Sequence, residues 1–209
     1  MLNTAEIDFT IEHAEQIVRV TFPNFSANVG VSINKIGTEE IMSGQELSYF
    51  ITRIRNESTI PLTDFFWRDT IPTEALRVTR LVTGTFNFDT RYRIIGTPNL
   101  GNEIIINDNL STTRNNVVEL RPDHLGLASD EFLIDFSVHF GQVPANFSEV
   151  ERPQIFFESL RDLPNGMYFA NRVDIGGRTG GEWVIGSSSA GTRVFNPQRT
   201  PNRIPQSGF

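Results

Sequence analysis

Apolar and polar residues alternate along most of this 209-residue chain, and this alternation is what most restricts its fold. Successive side chains of a β-strand point to opposite faces, so a period of two predicts strands with one buried face. In the clearest run, residues 132–140, the apolar positions are Phe132, Ile134, Phe136, Val138 and Phe140. The other predicted strands are 7–11, 16–22, 29–36, 46–54, 62–71, 77–82, 85–95, 103–107, 116–120, 154–160, 167–175, 182–186 and 192–196. The sequence therefore predicts an all-β fold.

Turn-forming residues separate these runs at short intervals. Examples are Gly-Thr-Pro-Asn at 96–99, Asp-Leu-Pro-Asn-Gly at 162–166 and the glycine pair at 176–177. Short strands at this spacing are typical of a β-sandwich. We also predict a short helix after Pro72 and a helical turn within 123–129.

Three segments are expected along the chain. Residues 1–28 are predicted to form a short leading β-hairpin. Residues 29–196 are predicted to form an immunoglobulin-like or adhesin-type β-sandwich. Residues 197–209 form a polar tail with three prolines, which favours an extended linker.

Composition excludes several classes of protein. The chain is 38% hydrophobic and 11% aromatic, too apolar for disorder. Its net charge is −7 and its basic residues are scattered, which argues against nucleic-acid binding. Without cysteine it has neither disulfides nor thiolate metal sites, and we expect no cofactor or metal. The first residues resemble no signal peptide, so we expect any export signal to lie upstream.

Two long segments carry a resemblance to a known family. Residues 33–72 read INKIGTEEIMSGQELSYFITRIRNESTIPLTDFFWRDTIP, and residues 159–186 read SLRDLPNGMYFANRVDIGGRTGGEWVIG. The first resembles the conserved-repeat β-sandwich domain of Gram-positive cell-surface proteins, of the pilin and collagen-adhesin type. The second resembles the closing strands of clostridial versions. Residues 7–24 resemble the last hairpin of a prealbumin-like stalk domain.

The end of the chain resembles a sortase cell-wall sorting signal. The residues that carry this resemblance are Ile204, Pro205, Gln206, Ser207 and Gly208. They depart from the usual signal in having Ile for Leu and Ser for Thr. The resemblance implies attachment to the cell wall by a sortase; the alternative is a proline-rich extended tail.

The same resemblance implies an intramolecular isopeptide bond between a lysine and an asparagine, assisted by an acidic residue. Strand alternation puts Lys35, Asp69 and Asn171 each on the apolar face of its own strand. Unpaired polar groups there would cost about 2–7 kcal/mol each, so we expect the three to meet. Lys35 is the only lysine in the chain. Three outcomes stay open: a covalent Lys35–Asn171 bond with Asp69 as proton shuttle, a hydrogen-bonded trio, or an Asn171 that serves a turn.

Function follows from this resemblance as an expectation. We expect a structural module of an extracellular, wall-anchored surface or pilus-type protein, not a turnover enzyme. Its partners would be neighbouring domains of the same protein and a sortase, with no nucleic acid. The alternative is an adhesin that binds a host extracellular-matrix protein or glycan through the sandwich loops.

The remaining candidates are interpreted as structural. His13, His124 and His139 are predicted to face solvent, because none has the spacing of a metal ligand. Residues 107–109 and 187–189 are predicted to form a turn and a loop. Trp67 is predicted to lie in the core, whereas Trp183 has no predicted place; either could line a sugar-binding surface.

Overall fold

Strands dominate residues 28–196, which are the residues that the structure, a computed structural model, describes. The predicted leading hairpin, apart from Asn28, and the sorting-signal-like tail lie outside this range. The strands are β1 Val31–Gly37, β2 Glu40–Ile41, β3 Glu46–Asn56, β4 Leu62–Thr70, β5 Leu76–Val82, β6 Thr85–Phe86, β7 Arg91–Pro98, β8 Ile104–Ser111, β9 Val117–Glu119, β10 Leu133–Val143, β11 Glu149–Glu151, β12 Gln154–Ser159, β13 Tyr168–Thr179 and β14 Glu182–Val194. Within this range the only α-helix is α1, Pro122–Leu125, so no helix here is long enough to cross a membrane.

Two sheets enclose one hydrophobic core. The first has the order β1-β3-β12-β5-β9, and the second has the order β2-β14-β13-β4-β10-β7-β8. Neighbouring strands run antiparallel except β14 and β2, which are parallel. The largest fully buried side chains include Trp67, Tyr49, Phe65, Phe136, Phe147 and Phe157. This architecture confirms the predicted all-β sandwich.

A tight hairpin joins the last two long strands of the second sheet. Gly180 and Gly181 connect β13 to β14, and both have positive φ, at 56° and 88°. A two-residue turn with both φ values positive suits the twist of a hairpin and favours glycine. Pairing is continuous from Thr179 opposite Glu182 to Tyr168 opposite Arg193. The faces of β13 are therefore set without a bulge over the whole hairpin.

The predicted alternation of residues 132–140 is wrong at its beginning. The register shifts between Leu133 and Asp135, so Leu133 is buried and Ile134 is exposed. The predicted alternation holds from Phe136 onward, because the irregularity lies before that residue. A bulge moves every earlier side chain to the other face.

Other predicted boundaries also need correction. The helix predicted after Pro72 is a hydrogen-bonded turn, in which Ala75 and Leu76 both donate to the Pro72 carbonyl. The strand predicted at 85–95 is divided between β6 and β7, whereas the strands predicted at 182–186 and 192–196 are one strand. The helical turn predicted within 123–129 lies in part at α1.

Candidate crosslinking site

Lys35 lies on β1, at the edge of the five-stranded sheet, with its side chain inside the sandwich. Only 4% of the residue is exposed, and its neighbours Val31 and Ile33 on the same face are also buried. One edge of β1 pairs with β3, which leaves Lys35 N–H without a strand partner. That N–H donates instead to Ser188 Oγ of β14, at 3.1 Å. This bond holds the edge strand against the other sheet.

Asp69 and Asn171 lie on adjacent strands of the seven-stranded sheet. Asp69 of β4 is opposite Val173 of β13, and Asn171 lies two residues from Val173 on the same face. Diagonal neighbours of this kind in an antiparallel pair are close enough to interact. Both residues are completely buried. Lys35 thus approaches from one sheet a pair of polar side chains that the other sheet holds together.

The contacts among the three residues are incomplete. Lys35 Nζ donates to Asp69 Oδ2, and both side chains are fully inaccessible to solvent. Asp69 Oδ1 and both polar atoms of the Asn171 amide are buried without a hydrogen-bond partner in residues 28–196. A buried polar group left unpaired costs about 1–3 kcal/mol. Such groups are rare in folded proteins, so the bare amide of Asn171 requires an explanation.

Burial also changes the protonation of the pair. Burial lowers the pKa of the Lys35 amine, although the neighbouring Asp69 acts in the opposite direction. Burial raises the pKa of the Asp69 carboxyl, against the opposing effects of Lys35 and of the nearby Asn171 side chain. Both shifts favour uncharged groups, because a water-poor interior disfavours the charged forms. The site therefore favours a neutral amine beside a neutral acid.

Tyr49 of β3 lies beside the lysine. Lys35 Nζ lies 5.1 Å from the centroid of the Tyr49 ring. The Tyr49 hydroxyl shares a 2.6 Å hydrogen bond with Thr192 Oγ1, and burial raises the pKa of Tyr49 to about 12. The phenol is therefore neutral at physiological pH. A Cβ atom at Gly37 would overlap this ring, so glycine is needed there to admit Tyr49.

Sequence reasoning missed Ser188 and Tyr49. Ser188 was assigned to a loop, but residues 187–189 lie within β14. The signal was present: Ser188 shares strand parity with Val184 and Thr192, both of which are buried. The run of three serines conceals this parity, because serine favours neither face of a strand strongly.

The other candidates have structural positions that the sequence predicted only in part. Trp67 is buried as predicted and His124 is exposed, but His139 is half-buried, which corrects its solvent-facing assignment. Residues 107–109 lie in β8 and not in a turn. Trp183 is 45% exposed. No group of three or more acidic or histidine side chains in residues 28–196 could hold a metal ion.

The site combines three chemically complementary groups. A buried amine is a nucleophile when neutral, a carboxamide carbon is an electrophile, and a carboxyl group between them can carry protons. The amine is that of Lys35, the carboxamide that of Asn171 and the carboxyl group that of Asp69. All three residues are buried. This arrangement has the components for amide exchange.

No family model and no curated protein matches this chain. Among solved structures, the chain is similar to AvmM, described as catalysing macrocyclization in alchivemycin A biosynthesis, at 11% identity and a TM-score of 0.38, over 88% of this chain and 98% of that one. It is also similar to the collagen-binding domain of a Staphylococcus aureus adhesin, at 15% identity and a TM-score of 0.33, over 78% of this chain and 97% of that one. The collagen-binding subdomain of the Enterococcus faecalis surface protein ACE gives 13% identity and a TM-score of 0.33, over 78% and 96%. At these TM-scores the functional argument depends on the site geometry alone.

Proposed function

We propose that this chain is a structural module of a bacterial cell-surface or pilus-type protein, and that it crosslinks itself through an isopeptide bond between Lys35 and Asn171. The observation that carries the proposal is the completely buried Asn171 amide on the strand next to Asp69, beside the buried Lys35–Asp69 pair. Conversion of the amide to a bond with Lys35 would release Nδ2 as ammonia and leave a secondary amide whose C=O and N–H face the Asp69 carboxyl.

The reaction needs only the three side chains. A proton passes from the Lys35 ammonium to Asp69, leaving a neutral amine and a neutral acid. Lys35 Nζ attacks Asn171 Cγ, and Asp69 protonates the departing Asn171 Nδ2 while it takes a proton from Nζ. The Nζ–Cγ bond forms, the Cγ–Nδ2 bond breaks, and ammonia leaves. Asp69 is a neutral acid both before the attack and after ammonia has left, and no further reactant is consumed.

The fold supplies what free amines and amides lack. Holding the nucleophile beside the electrophile can give each an effective concentration of about 10⁵ M or more for the other. Burial removes the water that would otherwise solvate the charged forms of Lys35 and Asp69. The event takes place once in each molecule, so the chain would not turn over a substrate.

The bond would join the five-stranded sheet to the seven-stranded sheet across the core. It would link β1 to β13, the first and the second-last strands of residues 28–196, and β13 pairs along its full length with β14. A pull on the two ends would pass from β1 through the bond to β13, and the intervening strands would carry little load. Closing a loop of more than a hundred residues would stabilise the fold by about 4–5 kcal/mol on the chain-entropy argument.

We also propose that the module lies on the outside of the bacterial cell. The resemblance of residues 33–72 to Gram-positive surface domains supports an extracellular module with neighbouring domains in the same protein. The tail at Ile204–Gly208 supports anchoring by a sortase. A covalent crosslink also suits an exported protein that has no cysteine from which to form a disulfide.

Intact-mass measurement tests the proposal. The purified protein is expected to weigh about 17 Da less than its sequence mass, the loss of one ammonia on amine attack at an amide. The Lys35→Met and Asn171→Leu variants should each show their full sequence mass. A full mass in the unmodified chain, or a deficit that persists in Lys35→Met, would refute the crosslink.

One control excludes a different loss of ammonia. The Asn165-Gly166 sequence could lose ammonia by forming a succinimide, which gives the same mass deficit. The Asn165→Gln variant removes that route and leaves the buried trio untouched, because Asn165 Oδ1 bonds only to the backbone of Asn196 among the described residues. The deficit should persist in this variant; its disappearance would assign the loss to Asn165.

A further inference from the structure

A groove of about 940 Å³ crosses the outer face of the seven-stranded sheet, away from the buried trio. Its floor includes Phe66 and Arg68, which alternate along β4 with the core residues Phe65 and Trp67. The groove extends across neighbouring strands to Trp183 on one side and to β8 on the other. It is therefore built on a rigid sheet face and not on the loops.

Aromatic rings line the centre of this groove. The ring of Phe66 stacks on His139, with centroids 5.7 Å apart, and meets Trp183 edge to face at 5.8 Å. Burial, Arg93 and Arg68 all lower the pKa of His139, so its ring is uncharged near neutral pH. A Cβ atom at Gly176 would lie 2.7 Å from the Phe66 ring, so glycine is needed there to keep the ring in place. Phe66, His139 and Trp183 together form a partly exposed, mainly apolar surface, which we call the platform.

Positive charge surrounds the platform. Four arginines and two aspartates line the groove, namely Arg68, Arg91, Arg93, Arg178, Asp64 and Asp108. Arg178 is 3.9 Å from Asp64 and Arg68 is 4.0 Å from Asp135, whereas Arg91 and Arg93 have no ion pair within residues 28–196. In a chain of net charge −7, this local excess of positive charge favours an anionic ligand.

Departures from regular strand geometry shape the groove. Asp64 and Asn109 line it, and they are two of the four non-glycine residues in the described chain with positive φ. The pairing of β10 with β4 also shifts register at Gly141, which lies in the lining. Bulges of this kind bend a sheet and redirect its side chains, and they are frequent next to functional sites.

We propose that this groove binds an acidic saccharide, a sugar chain that carries carboxylate or sulfate groups. Arginine guanidinium groups bind such anions through paired hydrogen bonds. The apolar C–H face of a sugar ring packs on exposed aromatic rings. An indole N–H such as that of Trp183 can in addition donate a hydrogen bond to a sugar oxygen. An extended peptide fits less well, because a peptide that pairs with a sheet needs an exposed strand edge. In this groove only β8 has such an edge, whereas Phe66 and His139 lie on β4 and β10, which are paired on both sides.

This proposal is independent of the crosslink. The groove faces outward from the seven-stranded sheet, and none of its lining residues belongs to the Lys35, Asp69 and Asn171 site. A protein without the isopeptide bond could still bind sugar, and a crosslinked protein could fail to bind it. The two tests therefore succeed or fail separately.

Titration calorimetry and tryptophan fluorescence test the proposal. The probes are a heparin-derived hexasaccharide, which carries sulfate, and a hyaluronan hexasaccharide, which carries carboxylate alone; cellohexaose is the neutral control. One or both acidic probes should bind, cellohexaose should not, and binding should weaken as salt is added. Trp67 is buried, so a fluorescence change on binding would come from Trp183, the other tryptophan of the chain.

Matched variants locate the binding. Arg93→Gln and Trp183→Ala should each weaken binding by about tenfold, the expected effect of losing one charge-assisted contact or one stacking ring. Arg152→Gln removes an exposed arginine outside the groove and should leave binding unchanged. The melting temperatures of all three variants should match that of the parent, which separates lost contacts from lost folding.

Three results would overturn the proposal. The first is that neither acidic hexasaccharide binds. The second is that both groove variants retain parental affinity. The third is that a polyglutamate peptide of equal charge binds as tightly as the hexasaccharides, which would identify the groove as a site for acidic peptides.

Discussion

Lys35 of one sheet and Asp69 of the other form a hydrogen-bonded amine–carboxyl pair that is wholly shielded from solvent. Such a pair is weak evidence for stability, because taking two charges out of water costs about as much as their attraction returns. Apolar side chains of similar size would fill the same space without that cost. The proposed crosslink offers a chemical reason for the pair, because an amine and an acid that share one proton are what amide exchange at Asn171 would require.

The proton-shuttle role proposed for Asp69 leads to a first prediction. Asp69→Asn keeps the shape of the side chain but cannot carry a proton, so the variant should fold and retain its full mass. Its free energy of unfolding should fall by about 4–5 kcal/mol from the missing crosslink alone. Mass spectrometry and chemical denaturation measure the two effects. Asp135→Asn, on the neighbouring strand and half-buried, should crosslink normally. A crosslinked Asp69→Asn protein would remove Asp69 from the mechanism.

The shifted pKa values predict how crosslinking depends on pH. The pKa of Asp69 is raised and that of Lys35 is lowered, so over a middle range the pair holds one proton that either group can carry. At lower pH a second proton gives an ammonium beside an acid, and attack stops. At higher pH the last proton leaves, and no acid remains to protonate the departing nitrogen.

The rate of crosslinking should therefore pass through a plateau and fall on both sides. Protein made by cell-free translation, moved into buffers of different pH and sampled over time by mass spectrometry, would show this profile. A rate that rises steadily with pH would mean that a free amine alone is sufficient and that the acid has no part.

Ser188 leads to a stability prediction with an adjacent control. Its Oγ accepts the Lys35 N–H at 3.1 Å in a buried position, so Ser188→Ala leaves that N–H unpaired. The free energy of unfolding should drop by about 1–3 kcal/mol, while the crosslink still forms. Ser189→Ala, one residue along on the exposed face, should change stability by less than about 0.5 kcal/mol. Equal effects in the two variants would contradict the assigned hydrogen bond.

The β13–β14 turn leads to a prediction about glycine. Gly181 has φ of 88°, so Gly181→Ala forces a Cβ into the left-handed region and should destabilise the protein by about 1–2 kcal/mol. Gly180→Asn restores the preferred Asn-Gly sequence of this turn type and should be neutral or slightly stabilising. Thermal unfolding of the two variants provides the comparison. A tolerated Gly181→Ala would mean that the turn has another conformation in solution.

Strand alternation was a strong guide where pairing is regular. It predicts an inward-facing side chain at Lys35, Asp69 and Asn171, which are 4%, 0% and 0% exposed. Asn171 lies in a hairpin without a bulge, so counting by twos holds there. The strand at 132–140 fails at its beginning, because one register shift at Leu133–Asp135 reverses the faces and leaves no trace in the sequence.

Features that depend on distant contacts could not be predicted. The helix expected after Pro72 is a turn, because the chain enters β5 within a few residues and pairing with β12 and β9 outweighs local helix preference. Trp183 had no predicted place, since its position depends on Phe66, a residue more than a hundred positions earlier. The groove likewise joins residues from separate strands, and no local motif identifies it.

Peptide mapping tests the central claim most directly. Trypsin does not cleave after a modified lysine, so a Lys35–Asn171 bond should give a single branched species that joins residues 20–53 to residues 162–172. Fragmentation of that species should place the link between Lys35 and Asn171, with the loss of one ammonia. Separate peptides 20–35 and 36–53, together with an unmodified 162–172, would contradict the account.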